Sequence, residues 1–119
     1  MTRVLVIDDD SELRDALRGI LEGAGYAVDL AADGELGMML QRSRPADIVI
    51  TDIFMPNQDG IGTVARLRDE FPQARVIAMS GGGAKVKGAC LSTAGQVGAH
   101  ALLRKPFQPD ELLSAVRGG

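Results

Sequence analysis

The 119-residue chain contains a single cysteine, Cys90. No internal disulfide can form and no thiolate-rich metal site is available, which suits a reducing, cytoplasmic setting. Tryptophan is absent, and Tyr26, Phe54, Phe71 and Phe107 are the whole aromatic set. That is too few for a platform on which single-stranded nucleic acid could stack. Positive charge is not in excess: 13 Lys and Arg stand against 16 Asp and Glu, a net charge of −3. Such a surface gains little by displacing counterions from phosphates, so no direct nucleic-acid binding is expected and a DNA output would need another domain or partner. His100 is the one histidine, which excludes a multi-histidine metal site and leaves it as a strand residue. The first apolar run, Val4 to Ile7, ends in three aspartates; it is too short for a signal peptide or a membrane span.

What is present is a composition 45% hydrophobic and 24% charged, without a long block of like charge, as expected of one globular domain over residues 1–119. Gly118-Gly119 reads either as a natural end or as the start of a linker to a further output domain. Short apolar runs alternate with stretches of helical period. Val4 to Ile7 is continuously apolar, as a parallel strand covered on both faces must be. Leu13, Ala16, Leu17, Ile20 and Leu21 follow at helical spacing, with Asp10 or Ser11 as N-cap. Tyr26 to Leu30 reads as a second strand. Asp33-Gly34 then turns into a helix with Leu36, Met39 and Leu40 on its apolar side. Met38, Met39 and Met55 read as packing or surface residues rather than as a ligand set.

Asp47 to Asp52 repeats the design of the first strand, a buried apolar run ending in a carboxylate. Ile61, Val64, Leu67 and Phe71 mark a third helix, and Arg75 to Ser80 a fourth strand. A fourth helix is expected between Ala84 and Val97, weakened by Gly88 and Gly95. Ala99 to Leu103 reads as the fifth strand, and Pro109 opens a last helix carrying Leu112, Leu113 and Val116. Five βα units with right-handed crossovers give an α/β fold, an open parallel sheet with helices on both sides. Function in such a sheet sits at the carboxyl ends of the strands.

The side chains expected at those ends are polar: Asp8 and Asp9 from the first strand, Asp52 from the third, Ser80 from the fourth and Lys105 from the fifth. Three converging carboxylates repel one another unless a cation is present, and an oxygen-only ligand set favours Mg²⁺. A phosphoryl group on one carboxylate would bring three anionic oxygens, which Mg²⁺, Lys105 and the Ser80 hydroxyl could share. Gly81 leaves room for it beside Ser80.

Four segments now carry a resemblance: Val4 to Asp10, Asp52 to Gly60, Val76 to Gly81, and Leu103 to Phe107. In this order and spacing they resemble the receiver domain of two-component response regulators, the CheY-like family, over essentially the whole chain. The resemblance implies a flavodoxin-like doubly wound (βα)5 sandwich with strand order 2-1-3-4-5. It implies Asp52 as phosphoacceptor, Ser80 as switch hydroxyl and Lys105 as phosphate-binding ammonium. Mg²⁺ would be held by Asp8, Asp9, Asp52 and the backbone carbonyl of Phe54, with Asp9 the closer ligand and Asp8 acting partly through water. A sensor histidine kinase or histidine phosphotransfer protein would supply the phosphoryl group. The face made by the fourth helix, fifth strand and last helix would read out to a partner and allow a homodimer on phosphorylation. The bond Lys105-Pro106 is expected in cis.

Two positions depart from the pattern. Leu102 stands where receivers usually carry an aromatic, so output is expected to rely on the Gly81-Gly82-Gly83 segment and the fourth helix. Phe54 places a ring two residues beyond the acceptor, where it could shield an acyl phosphate from water. Two other functions compete. A haloacid-dehalogenase-like phosphohydrolase would use Asp8 as nucleophile, though Asp110 and Glu111 are the only carboxylates after the lysine. A module with the same fold could also bind partners without ever taking phosphate. Each residue alone has a plainer reading: Asp10 caps a helix, Asp52 and Asp59 are turn residues, Lys105 is a surface lysine.

Overall fold

The computed structural model describes residues 2–55, 58–80 and 98–118. The expected fourth helix, the three glycines after Ser80 and Cys90 lie outside the described residues. The elements in chain order are β1 (Arg3–Ile7), α1 (Ser11–Gly23), β2 (Ala27–Ala31), α2 (Gly34–Ser43), β3 (Ile48–Asp52), β4 (Phe54–Met55), β5 (Gln58–Asp59), α3 (Gly60–Glu70), β6 (Arg75–Ser80), β7 (Ala101–Arg104) and α4 (Pro109–Arg117). Five strands form one parallel sheet in the order β2-β1-β3-β6-β7, and β4 and β5 pair as a small antiparallel ribbon. In sequence terms the large sheet is the expected 2-1-3-4-5.

Alternation along each strand builds two cores. Leu5, Ile7, Val49, Val76 and Ala78 face one side, where Met38 of α2 and Val64 and Leu67 of α3 cover them. Val4, Val6, Ile48, Ile50, Ile77 and Met79 face the other, beneath Leu17 and Leu21 of α1 and Leu112 and Val116 of α4. Complete burial of a side chain such as Leu17 or Leu112 stabilises the fold by about 1.5–3 kcal/mol. The strands therefore have to be apolar on both faces, and this is why β1 and β3 read as unbroken runs.

Capping fixes where the helices start. Asp10 is the N-cap of α1, its Oδ1 accepting from the N–H groups of Glu12 and Leu13 at 3.0 and 3.2 Å. Asp33 caps α2 through Leu36 N–H at 2.8 Å. Gln108 and Glu111 form a capping box on α4, with Pro109 in its first turn as expected. The Lys105-Pro106 peptide is cis.

The second helix differs from expectation. Leu36 and Met39 are exposed, and the inward positions are Gly34, Gly37, Met38 and Gln41. The reason is steric and polar at once. Gly37 lies so close to Ile7 that a Cβ there would run into that side chain. Gln41 can go inside because its amide is satisfied twice by Ala46, donating to the carbonyl at 3.0 Å and accepting from the N–H at 2.8 Å. Met39 is rotated outward as a result. The second strand runs one residue later than expected, Ala27–Ala31, and the last spans Ala101–Arg104 instead of beginning at Ala99.

His100 thus falls just before β7. Its N–H donates to Val76 O at 2.7 Å and its Nδ1 accepts from Val76 N–H at 3.0 Å, a contact only the lone pair of a neutral ring can accept. Burial, then the charges of Arg68 and Arg75, hold the imidazole below its ordinary pKa.

The α2 contact gives a direct test. Gly37→Ala is expected to destabilise the fold by about 1–3 kcal/mol in urea unfolding, because Ile7 must move. Gly19→Ala, at a position of α1 where nothing lies within 4 Å of the new Cβ, is expected to stabilise it by about 0.5–1 kcal/mol.

Candidate functional site

Strand register brings the polar ends together. Ile7 pairs with Thr51, Asp52 with Met79, and Ser80 with Arg104. Asp8, Asp52, Ser80 and Lys105 are therefore each the last residue of a strand or the first beyond it, at one edge of the sheet. Backbone hydrogen bonds continue the ladder past the strand ends, among them Ile53 N–H to Met79 O at 3.0 Å and Lys105 N–H to Ser80 O at 2.7 Å. The latter hangs the lysine directly beside the serine.

Asp8, Asp9 and Asp52 each offer a carboxylate oxygen, and these three oxygens lie within 4.8 Å of one another. Asp8 and Asp52 are buried and Asp9 is exposed. Lys105 bridges the two buried members: Nζ donates to Asp8 Oδ2 at 2.7 Å and to Asp52 Oδ2 at 3.0 Å. Burial acts to lower the lysine pKa, but the hydrogen bond to Asp8 and the charges of Asp52 and Asp8 outweigh it. The net result lies above the ordinary lysine value. Lys105 is an ammonium throughout the neutral range. Asp8 is engaged on both oxygens, since Oδ1 accepts from Asp10 N–H at 2.9 Å.

Ser80 is also buried, and its Oγ has no hydrogen-bond partner among the described residues. A hydroxyl out of water with neither donor nor acceptor is uncommon, and here it stands beside an ammonium and three carboxylates. The set fits a hard divalent cation: all three candidate side-chain ligands are carboxylate oxygens within 4.8 Å of one another, and a single lysine stands against them. Phe54 opens the β4–β5 ribbon two residues after Asp52, with only Ile53 between them.

The match that decides the family covers residues 4–117, which fit the response regulator receiver domain. The chain belongs to the receiver domain family. Among curated relatives of this receiver is a transcriptional regulatory protein, DltR, of Streptococcus agalactiae, 35% identical over 118 residues; the match takes in 97% of this chain and 50% of DltR. The receiver thus spans about half the length of the curated relatives it matches. Among solved structures, a CheY-like receiver domain from Methanospirillum hungatei superposes with a TM-score of 0.88 at 26% identity, over 98% of this chain and 91% of the other. A response regulator from Burkholderia pseudomallei, solved with a phosphorylated aspartic acid, calcium ion and citrate, gives 0.87 at 29% identity over 97% and 66%.

Sequence reasoning placed five side chains, Asp8, Asp9, Asp52, Ser80 and Lys105, at one sheet edge, and the structure brings these residues to that edge. It assigned Lys105 to phosphate alone and missed that the same ammonium pairs Asp8 with Asp52. It also missed Arg14, whose Nη1 donates to the carbonyl of Asp8 at 2.7 Å. The signal for Arg14 was its place on α1 four residues after the Asp10 cap, one helical turn from the acidic group. Leu102, the residue at the usual aromatic position, is 44% exposed on β7.

The bridge predicts a stability effect. Lys105→Met leaves Asp8 and Asp52 buried without their shared cation and is expected to cost about 2–4 kcal/mol at neutral pH. Adding Asp52→Asn should recover a large part of that loss. Urea midpoints of the two variants check it, and a Lys105→Met midpoint equal to wild type contradicts the bridging role.

Proposed function

We propose that this receiver is a phosphorylation switch whose acceptor is Asp52. The observation that carries this reading is the Lys105 bridge between Asp8 and Asp52 at the strand ends that also present Ser80, whose buried hydroxyl has no hydrogen-bond partner among the described residues. An Asp52 oxygen attacks phosphorus, the bond from phosphorus to the donor's imidazole nitrogen breaks, and the histidine leaves with the bonding electron pair. The donor is a sensor histidine kinase or histidine phosphotransfer protein, in the cytoplasm. Asp8, Asp9, Asp52 and the Phe54 carbonyl would hold Mg²⁺, which when bound would supply charge neutralisation at the phosphoryl oxygens. Lys105, already an ammonium within reach of Asp52, pairs with one phosphoryl oxygen, and Ser80 Oγ gives its unused hydrogen bond to another. Drawing these two groups onto the new charge biases the strand ends toward a second arrangement.

The domain assists its own phosphoryl transfer and slow dephosphorylation, and acts as a switch rather than as a turnover enzyme. Residues 1–119 make one receiver unit. The readout face includes β7 and α4, with Leu102 on its surface, and supports dimerisation after phosphorylation. A phosphohydrolase reading centred on Asp8 is disfavoured because the Asp8 side chain has no exposed surface from which to meet a substrate.

Intact-mass measurement after incubation with acetyl phosphate tests the reading. Wild type is expected to gain one phosphoryl group in the presence of Mg²⁺ and none after chelation, and Asp52→Asn none in either. Uptake that ignores Mg²⁺, or no uptake by the wild type, contradicts it.

A further inference from the structure

Asp9 is the exposed member of the acidic group, so packing does not aim it. Its direction depends on the backbone, and both peptide units that flank it are held. The unit before it carries the Asp8 carbonyl, which accepts from Arg14 Nη1 at 2.7 Å. The unit after it carries the Asp10 N–H, which donates to Asp8 Oδ1 at 2.9 Å. A peptide unit is planar, so anchoring one of its atoms restrains the whole plane; two restrained planes define the backbone dihedrals of the residue between them. The exit direction of the Asp9 side chain follows from those dihedrals.

Arg14 is built to make this contact. Its own N–H donates to Asp10 O at 3.0 Å in the first turn of α1. Side chains on a helix lean toward its N-terminus, so the guanidinium runs back over that turn to the end of β1. It is half-buried, and it forms no ion pair among the described residues. Viewed as charge alone, a guanidinium next to a cation site opposes the incoming ion. Its value therefore lies in the hydrogen bond it makes.

We propose that Arg14 is a positioning residue for Asp9, holding the Asp8–Asp9 peptide so that the exposed carboxylate is preset toward the metal. This rests on the reading of Asp8, Asp9 and Asp52 as the Mg²⁺ site. Calorimetric titration of Mg²⁺ into the full chain separates positioning from charge by sign. Arg14→Ala is expected to weaken Mg²⁺ binding about tenfold, the worth of one charge-assisted hydrogen bond. Arg14→Gln, which removes the charge and keeps N–H donors, is expected to recover part of that loss. Unchanged or tighter binding in Arg14→Ala overturns the proposal, since that is the outcome of deleting a like charge. Amide exchange at Asp10 in metal-free protein gives an independent readout, in which Arg14→Ala is expected to speed exchange and an unaltered rate overturns it. Wild type that binds no Mg²⁺ while Asp10 exchange still responds to Arg14 overturns the metal reading and leaves the backbone lock standing.

Discussion

Three carboxylate oxygens held within 4.8 Å set the terms for the whole molecule. Their mutual repulsion has to be offset at the folded sheet edge, and the protein does this with one ammonium between the two buried members. Lys105 comes from the far end of the chain, 97 residues from Asp8. The pair can form only if β1, β3, β6 and β7 are all in register. The electrostatic requirement and the sheet topology are in this sense one constraint: any slip of a strand would strand a buried carboxylate without its partner.

The same arrangement prepares the chemistry. Lys105 already lies 3.0 Å from Asp52, so in the proposed reading the positive charge that an acyl phosphate needs would require little rearrangement. Ser80 is buried at the same edge, its hydroxyl without a partner among the described residues, and in the proposed reading a phosphoryl oxygen would accept its hydrogen bond. Stability and function pull in different directions at this edge, which is common where a site is built to change state.

Much of this was legible in the sequence because the relevant signals are short-range and polar. Val4-Leu5-Val6-Ile7 followed by Asp8, and Ile48-Val49-Ile50 leading to Asp52, announce buried parallel strands with carboxylates at their ends. Strand order came with the resemblance to receivers, and the meeting of Asp8, Asp52, Ser80 and Lys105 at one edge follows once that order and its register are set. The face of α2 was not legible, because hydropathy points Leu36 and Met39 inward, whereas the decisive facts are the absent Cβ of Gly37 and the two hydrogen bonds that let Gln41 be buried. Neither is a matter of periodicity. The Arg14 contact with the Asp8 carbonyl was hidden for a related reason: a charged residue on a helix flank reads as solvated until its acceptor is seen.

The account stands or falls on which carboxylate takes the phosphoryl group. Borohydride reduction of the protein after Mg²⁺ and acetyl phosphate treatment converts an acyl-phosphorylated aspartate to homoserine, and peptide mass mapping locates it. Homoserine at position 52, and at neither 8 nor 9, is the predicted result. Homoserine at position 8 would contradict the account and point to phosphohydrolase chemistry on the same sheet edge.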